Sequence, residues 1–413
     1  MYKINSTLAA MYNLQLSEEQ LAIRDTVRDF VATEITPVAL QPARLEPFDP
    51  PLPVDLIETA AALGLRSLAL DEADGGAGVD ALTRCLVAEE LAAGDVDVAA
   101  VLTETAVLGG LLFGQMMSAD HRAAHLTNFV EDSAFHLALA AQEADADSGL
   151  GTAYHRPRAA RSPVTTAVAD GDDWVITGTK TRIANAPIAK LFVVIAASDA
   201  GTIALLVPRD APGLSVQETP RDGGWYHGAM GDVALQECRV PTVNRLTGGN
   251  RDLTALADCG SVLAGTPEGQ ALNLGVARAA FDAALDYAKL RIQGGRPIVE
   301  HQSIGSMLAD IAGSLELVRG AVWRAAWDTD NPQARADGSL ADIPHALISQ
   351  VAAADMLYRA AKDAAECFGA MGVMRDMPMQ KYIHDTRLFR HSGNGVADAR
   401  LRLAEALAGH EPR

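Results

Sequence analysis

Arg291, Gln293, His301 and Gln302 crowd around a short break in YAKLRIQGGRPIVEHQSIGSMLAD, residues 287–310. Before the break, AAFDAALDYAKLR places Ala280, Phe281, Ala284, Leu285 and Ala288 at helical spacing. Gly294, Gly295 and Pro297 end that helix, because two glycines and a proline cannot continue a regular turn. A second helix is predicted from near Val299, with Ile304, Leu308 and Ile311 on one stripe. The break thus gathers a guanidinium, two carboxamides and an imidazole beside a helix start. That set of donors suits a phosphate or the edge of a flavin. The same residues also fit a plain helix hairpin with a solvated polar tip, since helix termini are usually polar.

The elements that must position this corner fall into three blocks. LSEEQLAIRDTVRDFVATEIT (16–36) begins with Ser17 as N-cap and Glu18 and Glu19 at the positive end of the dipole, and Pro37 is expected to close it. Further helices are predicted near 53–63, 83–93 and 99–117, so the first 134 residues read as helical with no strand signal. DEADGGAGVD (71–80) lacks the lysine, hydroxyl and strand context of a phosphate loop and reads as a turn. From Phe135 the runs TTAVADGDDWVITGTK, LFVVIAAS, TIALLVPR and VALQECRVP are β-rich, with Asp170–Asp173 as a hairpin turn. Residues 135–246 read as an all-β domain and 247–413 as a helical bundle. Helix, sheet and helix in blocks are not a βαβ alternation, so no Rossmann domain is expected and any flavin must be held between domains.

Composition narrows the function classes. The chain has 413 residues, enough for two or three domains, and 49% apolar residues, which excludes a disordered chain. A net charge of −19 argues against nucleic acid as a partner. Uninterrupted apolar runs of about 18 residues are lacking, so no membrane span is expected, and MYKINSTLAAMYNLQLSEEQ lacks a signal sequence. Cys85, Cys238, Cys259 and Cys367 are scattered without a CxxC pair, which fits a reducing cytoplasm and no metal site.

Tyr287-Ala288, Arg291, Gln293, Gly295, Pro297-Ile298 and His301-Gln302 resemble the acyl-CoA dehydrogenase segment YAxxRxQFGxPIxxHQ, with Gly294 in place of Phe. The resemblance runs over nearly the whole chain. It implies an α+β fold with an N-terminal α-helical domain, a β-barrel-like middle domain and a C-terminal four-helix bundle. It further implies a homo- or heterotetramer in which Arg291, Gln293, His301 and Gln302 reach the FAD of a neighbour. AAQEADADSG resembles the family's TEPGAGSD loop, which puts Gln142 and Ser148 on flavin or phosphate, with Glu143 on the family's Glu. GTKTRIANAP resembles GxKxWITNG. There Arg182 replaces the stacking Trp, and Ala184 replaces a hydroxyl residue while keeping a backbone N–H for flavin N5. ECFGAMGV resembles QxFGGxGF and places Glu366, Gly369 and Ala370 at the cofactor.

The catalytic segment departs most. HDTRLFRHSGNGVADAR matches RDxxxxxIYEGTxxIQR, and the family's catalytic Glu falls on Gly393. The alternative base position of some members falls on Gly265. Glu268, three residues further on, is then a candidate relocated base, although Thr266 as N-cap and Pro267 at N1 also make it an ordinary first-turn acid. His391-Ser392 resembles the His-Ser pair of flavin monooxygenases of this fold, which makes His391 a second candidate. The expected function is α,β-dehydrogenation of an acyl-CoA thioester with electron-transfer flavoprotein or a similar acceptor, by this chain or by a heteromer whose partner supplies the base. The alternatives are a monooxygenase or oxidase using His391, and a non-catalytic structural subunit.

Overall fold

The computed structural model describes residues 15–45, 50–144, 162–221, 226–247, 261–338, 341–391 and 395–409. The chain opens with α1 (Glu18–Phe30). Ser17 and Gln20 form a reciprocal capping box at its start. Pro37 does not close this helix as expected. A π-helical turn, Val31–Ile35, lets the backbone run into α2 (Thr36–Ala39), with proline in its first turn, where a missing N–H costs nothing. Then follow α3 (Pro42–Leu45), α4 (Val54–Ala62), α5 (Ala81–Gly94), α6 (Val96–Leu111) and α7 (Ala119–Glu131). Asp80, Asp95 and Ser118 cap α5, α6 and α7. The glycine-rich segment before α5 is a turn, with Gly75 and Gly78 in left-handed conformation.

The middle block is one seven-stranded mixed sheet: β1 (His136–Ala140), β2 (Thr166–Asp170), β3 (Asp173–Ala184), β4 (Ala189–Ser198), β5 (Gly201–Pro208), β6 (Leu214–Glu218) and β7 (Met230–Pro241). Its order is β1-β4-β2-β3-β7-β6, with β5 added on β4. The expected hairpin at Asp170–Asp173 joins β2 to β3, and Gly171 supplies the positive φ that the tight turn needs. The ladder of β3 and β7 slips between Lys180 and Ile183, and this bulge puts Arg182 out of register.

The last block is a helical bundle built from α8 (Pro267–Leu290), α9 (Gln302–Asp330), α11 (His345–Cys367), α12 (Met379–Leu388) and α13 (Gly395–Leu407), with the short α10 (Gln333–Ala336) between α9 and α11. The break between α8 and α9 is more ordered than a bare helix hairpin. β8 (Ile292–Gln293) and β9 (Arg296–Pro297) pair across Gly294 and Gly295, both with positive φ. A 3₁₀ turn, Ile298–Glu300, then delays the start of α9 to Gln302.

One apolar core joins α1, α4, α5, α6, α8, α9, α11 and α12, so the helices before and after the sheet share an interior. A second core lies between α6, α7 and the sheet, and a third on the sheet's other face. The stretch Val96–Met116 is long and apolar enough to cross a bilayer, despite the acids that break its sequence, but 83% of it is buried inside the fold.

Candidate active site

Two groups of the predicted residues stand on different parts of the fold. The first lies on the sheet. Gln142 follows β1, and its backbone carbonyl accepts the Thr181 N–H at 2.9 Å. Arg182 is exposed and has φ 54°, a conformation that costs a non-glycine residue of order 1 kcal/mol. The backbone N–H of Arg182 donates to Asp232 Oδ1 at 2.9 Å, which helps hold that conformation. Ala184 ends β3, and the next residue, Asn185, has φ 61°. Asn185 Nδ2 donates to the Val101 carbonyl at 3.2 Å and to Thr105 Oγ1 at 3.1 Å, which fixes this strand end against α6. Ser148 lies outside the described residues.

Glu143 anchors the same face from behind. It accepts Lys180 Nζ at 2.8 Å, Thr165 N–H at 2.8 Å and Val164 N–H at 2.7 Å. Burial pushes its carboxyl up, but these donors together win and hold it down at about 2. Lys180 is fully buried and also donates to the Ala141 carbonyl, so the pair ties the end of β1 to β3.

The second group lies at one end of the bundle. Arg291 caps α8 and is exposed, and no ion pair holds its guanidinium among the described residues. His301 Nε2 lies 2.9 Å from the Gln293 carbonyl and Nδ1 lies 3.4 Å from Arg296, so the imidazole braces the hairpin. Gln293 and Gln302 are exposed. Tyr287, one turn before Arg291, stacks on Phe368 with ring centroids 4.3 Å apart. That contact brings the end of α11, with Glu366, and the turn after it, with Gly369 and Ala370, beside the Arg291 corner. All three are exposed, and Gly369 has φ 58° with open space where a Cβ would stand.

These surfaces fit a flavin dinucleotide. The sheet offers a half-buried strand end with a strained, donor-bearing arginine, and the bundle end offers a free guanidinium and a glycine that permits close approach. No hydrogen bond, ion pair or ring contact joins the two groups among the described residues.

The candidate bases fare differently. Glu268 is only 3% exposed, and its Oε1 accepts Arg84 Nε at 2.9 Å. Thr266 accepts the Gly269 N–H and Pro267 occupies the first turn, so the local capping expected from the sequence is present. His391 is exposed just after α12, and Gly393 lies outside the described residues.

Glu104 on α6 escaped sequence reasoning. It is 2% exposed, accepts Ser261 Oγ at 2.5 Å and Val262 N–H at 2.8 Å, and no cation pairs with it among the described residues. Burial pushes its carboxyl up to about 7. The acid stands in VLTETAVLGGLL, and an acid inside so apolar a helix was the available signal.

Models of the N-terminal, middle and C-terminal domains of acyl-CoA dehydrogenase match residues 17–132, 158–238 and 270–405. A probable acyl-CoA dehydrogenase of Bacillus subtilis is 30% identical over 96% of this chain and 99% of its own. The human mitochondrial short-chain specific enzyme is 29% identical over 91% of this chain and 87% of its own. The solved butyryl-CoA dehydrogenase of Megasphaera elsdenii superimposes with a TM-score of 0.80 at 23% identity, covering 96% of this chain and 100% of that one. The chain belongs to the acyl-CoA dehydrogenase family, FAD-dependent oxidoreductases that act on CH–CH bonds of acyl-CoA.

Proposed function

We propose that the chain binds FAD at an interface between copies or relatives of itself and takes part in α,β-dehydrogenation of a CoA thioester, with the α-proton removed by a carboxylate of a partner chain. The observation behind this reading is the buried Glu268–Arg84 pair, taken with glycine at 393. A base must approach the substrate. Glu268 would have to abandon Arg84 to do so, and stranding a buried charge costs about 3–5 kcal/mol.

FAD, when bound, supplies the hydride acceptor. Arg291 would hold diphosphate charge from one protomer. The backbone around Gly369 would allow close approach there, and Gln142, Arg182 and Ala184 would face the ring from the other side. Asn185 keeps that strand end registered on α6 while a thioester is oriented against it. Electron-transfer flavoprotein or a similar carrier would accept the electrons, in a tetrameric assembly. Three buried free thiols, Cys85, Cys238 and Cys367, suit the reducing cytoplasm.

The test is anaerobic titration of the purified, flavin-loaded chain with a panel of acyl-CoA thioesters. Measurements are made alone and after co-expression with a related chain carrying Tyr-Glu-Gly at the place of Ser392-Gly393-Asn394. Bleaching of the flavin only in the mixed assembly is expected. Full bleaching by this chain alone would remove the partner from the reading.

A further inference from the structure

Ala184 closes β3 where the sheet meets α6, and the direction of its amide follows from the ladder. Asn185 N–H donates to the Ala229 carbonyl at 2.8 Å, so these two residues stand at a hydrogen-bonding position of β3 against the chain entering β7. Antiparallel pairs alternate, which makes Ala184 and Met230 the adjoining non-bonded pair. The Met230 carbonyl turns the other way, to the Thr219 N–H at 2.9 Å. Ala184 therefore aims its N–H away from β7. On that edge of β3, β2 reaches only as far as Thr177. Alanine has no hydroxyl to give, so at this position the backbone amide is the donor, and the strand sets its direction.

The support for that direction lies behind the strand, on α6. Asn185 has φ 61°, so the chain leaves its extended path here, and a left-handed residue other than glycine needs something to hold it. Its side chain supplies the hold. Nδ2 donates to the Val101 carbonyl at 3.2 Å and to Thr105 Oγ1 at 3.1 Å. Thr105 Oγ1 in turn lies 3.3 Å from His136 Nδ1 on β1. A hydroxyl that accepts from Asn185 still has its own proton to give, and Nδ1 can take it only while unprotonated. Burial first, and the Arg66 cation second, push the His136 imidazole down to about 3, so the ring is neutral at pH 7. Val101, Thr105, His136 and Asn185 are between 0% and 3% exposed, so water does not compete for these bonds.

We propose that Thr105 and His136 are positioning residues for the flavin: acting through Asn185, they fix the direction of the Ala184 N–H, which meets flavin N5. The contact with N5 belongs to the flavin reading above, on which this assignment rests. The bonds from β1 through α6 to the strand end stand without it, and the test separates the two.

The full chain is loaded with FAD carrying an NMR-active nitrogen at N5, and the N5 resonance of the oxidised flavin is recorded. The wild type is compared with Thr105→Val, Thr105→Ser, His136→Phe and His136→Asn. A hydrogen bond to N5 moves this resonance upfield of its position in aprotic solvent. Thermal melting and the flavin-to-protein absorbance ratio report folding and loading. The wild type is expected upfield. Thr105→Val, close in shape but without the hydroxyl, should carry the resonance most of the way to the aprotic position while flavin stays bound, and Thr105→Ser should bring it back. His136→Phe should move it in the same direction by less, and His136→Asn, which offers an acceptor near the place of Nδ1, should move it least. A purely structural Thr105 would lower the melting temperature and leave N5 where it was; that result overturns the proposal and leaves the flavin reading standing. A wild-type resonance at the aprotic position means that no donor meets N5, which overturns both the proposal and the placement of Ala184 at the ring. Should Thr105→Val not fold, His136→Phe decides: a shift supports the proposal and an unmoved resonance overturns it.

Discussion

Glu268 and Arg84 are 184 residues apart in the chain and meet below the protein surface. Glu268→Gln keeps a hydrogen-bond acceptor for the partly exposed Arg84 guanidinium but removes its counter-charge. It should cost about 1–3 kcal/mol of stability, seen as a lower melting temperature, while flavin reduction per folded protein stays unchanged. A rate loss of a hundredfold or more without a stability loss would restore Glu268 as the base. Glu143 gives a pH signature. Its carboxyl is held near 2 in the fold against an ordinary 4.5, so its stabilisation is whole above about 4.5 and drains away as pH falls toward 2. Urea midpoints between pH 6 and pH 2.5 should fall more steeply for the wild type than for Glu143→Gln. Local chemistry was legible at this scale: Thr266, Pro267 and Ser17 cap as their types dictate. Long-range partners were not, because nothing near Glu268 names Arg84, and nothing near Arg182 names the Asp232 that helps hold its left-handed backbone.

Helices α5 and α8 press together at Gly275, where a Cβ would stand 2.2 Å from the Glu89 carbonyl oxygen. Gly275→Ala should therefore destabilise by about 1–3 kcal/mol despite alanine's better helix propensity, measured by denaturant melting; a gain in stability would contradict this packing. The same pair of helices is bound by charge, since Arg278 of α8 reaches Glu89 and Glu90 of α5, and Arg319 of α9 and Arg28 of α1 join Glu89 and Glu90 respectively. Element types followed from periodicity and turn residues. Their ends did not always do so. Pro37 looked like a stop because the rule assumes i→i−4 bonding, and a π turn upstream removed the conflict. The Gly294-Gly295 pair looked like a plain break, while the structure uses its two positive φ angles to close a small hairpin.

For the whole molecule, the proposal that the sheet group and the Arg291 group hold one FAD from different protomers predicts that cofactor binding and assembly are linked. Arg291→Ala should weaken FAD binding about tenfold and shift the assembly toward smaller species; both are measured on one sample by flavin retention and by light scattering. An unchanged affinity would remove Arg291 from the site. The order of helical, β and helical blocks could be read directly from the sequence. The joint interior of the outer blocks could not, since pattern identifies an apolar face but not what covers it. That interior has a consequence for exchange with solvent. Amides of α5 and α8, deep in the same packing, should open only when the entire helical assembly lets go. Deuterium uptake in these two stretches, remote in sequence, should then follow a single slow rate.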